Sequence, residues 1–127
     1  MNLALKKAAL SRLLVRLALA IPMYYHAYWD LSPGGEAYFK EMVTAQNVSA
    51  NIRFALAPVD FIFATALALG IRPDICGWVF LPLMLGGVYM DASNGYSYRH
   101  QGFEVHLCYA LLSLSLALTH KAKPATI

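Results

Sequence analysis

Asp60, His26 and Glu104 are the residues whose types and positions could do chemistry in this chain of 127 residues. Asp60 stands inside RFALAPVDFIFATALALGIRP, residues 53–73, where the run between Arg53 and Arg72 is otherwise broken only by Pro58, Thr65 and Gly70. Such a run is long enough to cross a hydrocarbon core of about 30 Å at roughly 1.5 Å per residue. A carboxyl set about 10 Å into it costs roughly 2.5 to 3.5 kcal/mol on insertion scales, so it must face protein or water and have a partner or a task. His26 lies in YYHAYWDL, Glu104 in QGFEVHLCY and Arg16 in LLVRLALA. A carboxyl, an imidazole and aromatic rings at one depth suit a quinone: His26 could donate to a ring oxygen, with Asp60 and Glu104 relaying protons.

The composition says what kind of frame must hold these groups. Apolar residues make up 59% of the chain and charged residues 13%, and the mean hydropathy is +0.51. That balance predicts an integral membrane protein of one domain. The net charge of +3 gives no case for nucleic acid and reads as membrane topology. The basic N-terminus precedes an apolar run of spanning length, which predicts a first transmembrane helix and not a removable signal.

Four helices are expected, over about 10–31, 53–71, 75–90 and 103–119, with an interfacial segment over about 35–46. The first ends in Tyr24, Tyr25, Tyr28 and Trp29, aromatics that settle at headgroup level. Ser32, Pro33, Gly34 and Gly35 break the chain, and Arg72, Pro73 and Asp74 make a tight turn. Lys6, Lys7, Arg12, Arg16, Arg72, Lys121 and Lys123 fall on one side, against Lys40, Arg53 and Arg99 on the other. The expected fold is therefore all-α, an up-and-down four-helix membrane bundle with both termini cytoplasmic. Asp60 shares a face with Ala57, Ala64 and Ala68, small residues that let a neighbouring helix approach, so it should point inward. Glu104 and His106, two residues apart, face nearly opposite ways. Glu104 is taken as the inward one, because Cys108 and Ser115 give its stripe a small, polar character.

Each group also has a plainer reading. Asp60 could be a protonated structural carboxyl bonded to a carbonyl freed by Pro58. His26 and His106 could reach headgroup water, Arg16 could snorkel to the inner surface, and the tyrosines could form an interfacial belt. Cys108 reads as a packing residue. No metal site is expected: there is no CxxC, and no two histidines or two carboxylates stand at i, i+3 or i+4. Haem b between His26 and His100 or His106 is disfavoured, since these imidazoles lie near the outer surface and not across a dry core.

Taken together, LLVRLALA, YYHAYWDL, EAYFKEM, VDFIFATALALGIRP and QGFEVHLCYALLSLSLAL resemble the DoxX-like family of small four-helix membrane proteins over nearly the full chain. Asp60 stands where that family usually has Glu, and Ala27 where a Gly follows the His. The resemblance implies a polar core of Arg16, His26, Asp60 and Glu104. It also implies kinship with subunits of membrane thiosulfate:quinone oxidoreductases and with partners of redox-protective enzymes. The expectation is a small subunit of a larger assembly in a bacterial cytoplasmic membrane, in contact with lipid and other membrane subunits. It would be an accessory or quinone-proximal part of an oxidoreductase, not catalytic alone, with no covalent cofactor. The alternative is a purely structural or assembly subunit, for which the glycine and alanine ridges supply docking faces.

Overall fold

The structure, a computed structural model, describes residues 2–97, 99 and 102–119. His100, His120, Lys121 and Lys123 lie outside the described residues, and with them the His100 haem alternative and part of the charge count. The described chain is all-α, with no strand among its residues. Helix α1 covers Leu3–Asp30, α2 Pro33–Tyr38, α3 Arg53–Leu69, α4 Pro73–Asp91 and α5 Glu104–Leu118.

Helix α1 begins at Leu3 and not near residue 10, because the Asn2 side chain accepts the Ala4 N–H at 3.1 Å and caps the helix there. Ser32 caps α2 in the same way, with Pro33 at its first position, where a missing N–H costs nothing. The expected interfacial helix is broken in character: α2 passes into a π turn over Phe39–Val43 and a 3₁₀ turn over Thr44–Gln46. This strap, residues 33–52, closes one end of the molecule and buries its own Phe39 and Val43.

Helix α3 stops at Gly70, whose φ of +76° suits only glycine comfortably. The Gly70 N–H bonds Leu67 O at 3.0 Å and the Ile71 N–H bonds Ala66 O at 2.8 Å, the two bonds of a Schellman stop. Arg72, also left-handed, then reverses the chain into Pro73 at the start of α4, and its guanidinium forks onto Asp74 at 3.0 and 2.8 Å.

The long helices pack as two close pairs, α1 with α3 and α4 with α5, and the pairs meet along α3 with α4 and α1 with α5. Tyr24 is hydrogen-bonded to Thr65 at 2.6 Å; Thr65 donates its own proton to Phe61 O, so it must accept from the phenol, and α1 is tied antiparallel to α3. In the second pair a Cβ on Gly77 would lie 2.5 Å from the Ser113 carbonyl and the Ala117 nitrogen, and one on Gly87 would strike the His106 ring. Glycine there lets α4 sit directly against α5. The core between the pairs is Leu19, Met23, Leu67, Phe80 and Met84 with Ala20, Ala64 and Ala110.

Candidate functional site: an acidic and aromatic cavity under the strap

At the strap end the two helix pairs leave a cavity of about 970 Å³. His26 and Asp30 come to it from α1, Tyr38 from α2, Asp60 from α3, Asp91 from the end of α4 and His106 from α5. Each arrives for a local reason. His26 and Asp30 stand four residues apart on one helix face. Asp60 continues the buried stripe Ala57, Asp60, Ala64 and Leu67. His106 continues Ala110, Ser113 and Ala117, the stripe that lies on α4.

The polar contacts form a partial chain. Tyr38 donates to Asp91 Oδ1 at 3.1 Å. His106 Nδ1 lies 2.8 Å from Asp91 Oδ2, within ion-pair reach, yet the ring is turned so that this nitrogen makes no aligned hydrogen bond. The His26 and His106 rings are 5.5 Å apart, and Tyr109 meets His26 edge-on at 6.0 Å. Trp29 packs on Tyr38 at 5.4 Å. Asp60 is 4% exposed, and its Oδ1 is buried with no hydrogen-bond partner.

The strap is pinned by charge. Arg53 donates to the Asp30 carbonyl at 3.3 Å, reaches Glu36 at 3.7 Å and lies over the Phe54 ring at 4.5 Å. Lys40 is hydrogen-bonded to Glu36 one helical turn away, and that bond, with the Lys40 and Arg53 charges, holds the Glu36 carboxyl below its ordinary value. Burial first, and then the neighbouring Asp91 charge, pushes the Tyr38 phenol above its ordinary value, so it stays protonated as a donor. Tyr89 donates to Gln46 at 3.3 Å and closes the strap from the α4 side.

Of the four residues expected to form one polar cluster, the cavity unites His26 and Asp60. Arg16 is elsewhere: its guanidinium fills the space beside Gly70, at the carboxyl end of α3, about 15 Å from His26 along α1 at 1.5 Å per residue. A cation there faces the negative end of the α3 dipole. Glu104 is not among the lining residues, and the choice of it over His106 as the inward residue is corrected. On the Glu104 stripe Cys108, Leu111 and Ser115 are exposed, while the His106 stripe is buried against the glycines of α4. Small polar residues of α5 fall on both faces, Ser113 buried and Ser115 exposed, so the closeness of Gly77 and Gly87 decides which is inward. Asp30, Asp91 and Tyr38 were not singled out from sequence. The i, i+4 spacing of His26 and Asp30 was the signal that could have found Asp30.

Among the described residues no three His, Cys, Asp or Glu side chains are grouped to hold a metal ion. Compared with protein-family models, curated proteins and solved structures, the chain finds no match in any of the three.

Proposed function

We propose that the protein is an integral membrane four-helix bundle, a non-catalytic subunit of a larger assembly in a bacterial cytoplasmic membrane, whose working part is the cavity under the strap. In this reading the cavity faces the outer half of the bilayer and takes a small ring-bearing amphiphile. A quinone is the class proposed, which makes the chain an accessory, quinone-proximal subunit of a membrane oxidoreductase, as the DoxX-like resemblance suggests.

The observation that carries the reading is the cavity itself. Two imidazoles, buried carboxyls and aromatic rings in tilted and edge-on contact line a space of about 970 Å³, which is within the range that small organic ligands occupy. The membrane placement draws on two further facts. Ala50–Leu69 and Pro73–Asn94 are long and apolar enough to span, and only 22% and 28% of their most apolar windows are buried. Phe61, Ile62, Trp78, Leu85 and Leu111 instead turn large apolar side chains outward, which suits acyl chains better than water. Helix α5 is shorter, and α1 is long enough but diluted by its basic first half and polar far end.

The test is isolation of the tagged protein in mild detergent, with identification of its partners and extraction of bound small molecules. A stoichiometric membrane partner and a quinone are expected, and His26→Ala should deplete the quinone while the partner stays. A partner with no quinone would favour the assembly-only alternative. A protein that runs alone would contradict both.

A further inference from the structure

The cavity is not walled evenly. On the side of α3 and α4 its lining includes Ile52, Leu56, Pro82, Leu83 and Gly86, none with a polar side chain, whereas its two imidazoles come from α1 and α5. Ile52, Pro82 and Gly86 are at the same time exposed on the outside of the bundle. Helices α3 and α4 also touch far less than the helices within either close pair. Their seam is shut only at its ends. Phe63 meets Phe80 edge-on at 6.4 Å towards the core, and Tyr89 donates to Gln46 at 3.3 Å under the strap.

Gly86 marks the opening between those two closures. It lines the cavity, yet a Cβ on it would meet nothing within 4 Å, whereas one on Gly87 would strike the His106 ring. Close packing therefore does not call for glycine at 86, and inside a helix glycine is less stable than alanine. What it supplies is width. Gly86 and Pro82 stand about 8 Å and about 14 Å below Asp91 along α4, at roughly 1.5 Å per residue. Both fall inside Pro73–Asn94, the apolar stretch long enough to span. In a bilayer, an opening at that depth gives onto acyl chains and not onto water.

Resting on the reading that this cavity takes a ring-bearing amphiphile, we infer that the ligand enters sideways from the bilayer through a window between α3 and α4. Its ring is held at the back by His26 and His106, and it bears an apolar tail that stays in the window beside Gly86.

The experiment is calorimetric titration of the purified detergent-solubilised protein with a tailless methylated benzoquinone and with the same ring bearing a decyl chain. Comparing each variant with the wild type cancels the partition of the decyl probe into detergent. Gly86→Phe, whose ring fills the window, is expected to weaken the decyl probe about tenfold and the tailless ring by no more than about threefold, because tail and added ring compete for one space. Leu85→Phe, exposed and off the cavity, should leave both within about threefold. A decyl probe with a diazirine near the ring end of its chain gives a second reading on the wild type, which decides the matter if Gly86→Phe does not fold. Photolabel is expected on residues 52–56 and 82–86. Label on the strap at residues 41–46 overturns the inference, as does Gly86→Phe weakening both probes equally or neither, and in each case the proposed function stands. Labelling abolished by added phospholipid, with ring binding unchanged, overturns it by giving the window to a lipid acyl chain. Failure of both probes to bind the wild type defeats the proposed function itself.

Discussion

At the scale of single residues, the cavity depends on side chains that are expensive to bury and must therefore be held. Tyr38 to Asp91 is the clearest such bond, since it joins the strap to the end of α4. Tyr38→Phe is expected to cost about 1 kcal/mol or somewhat more, because a hydrogen bond to a carboxylate is worth about 1.5–3 kcal/mol and the exposed strap recovers part of it in water. Equilibrium unfolding in detergent measures this, and an unchanged midpoint would mean the bond holds nothing. Glu36 gives a pH dependence with a definite sign. Its folded value is depressed below the ordinary 4.5, so its contribution is present above that value and is lost as pH falls through the lower folded one. The difference in melting temperature between the wild type and Glu36→Gln should thus shrink on acidification below about 4.5. A difference that persists in acid would argue against the Lys40 and Arg53 pairing. The inward place of Asp60 was legible in the small residues of its face. That of His106 was not, because a helical repeat fixes angles between residues but not which stripe meets a neighbour.

Among the elements, the pairing of α4 with α5 rests on a backbone approach that a single methyl group can test. A Cβ on Gly77 meets the Ser113 and Ala117 backbone, whereas one on Gly86, on the same helix, meets nothing within 4 Å. Gly77→Ala is expected to destabilise by about 1–3 kcal/mol through overpacking. Gly86→Ala should be neutral or gain up to about 1 kcal/mol from helix propensity. Equal effects in the two variants would contradict this packing. The apolar runs and the breakers at Ser32, Pro33, Gly70 and Pro73 made the helices readable in the sequence. Gly77 and Gly87 make close contacts with α5 and Gly86 makes none, a difference that residue type could not reveal, since it depends on how far α4 and α5 slide along each other. The strap was harder still: its bonds to Asp91 and Tyr89 join residues 53 and 43 apart in sequence.

Over the whole molecule, the polar groups gather at the two ends, and the apolar residues between them point outward as well as inward. Arg16 and the Arg72–Asp74 fork mark one end; the strap, Arg53 and the cavity mark the other. That polarity motivates the proposed placement of a ligand cavity in the outer half of a membrane-spanning bundle with a cytoplasmic N-terminus. The most direct measurement uses Gln46→Cys, on the strap, and Lys7→Cys, on α1, each in a Cys76→Ala, Cys108→Ser background. Intact cells are treated with a membrane-impermeant thiol reagent. With the proposed placement, the residue 46 thiol is labelled in intact cells and the residue 7 thiol only after permeabilisation. Labelling of the residue 7 thiol in intact cells, or protection of both thiols until permeabilisation, would contradict it.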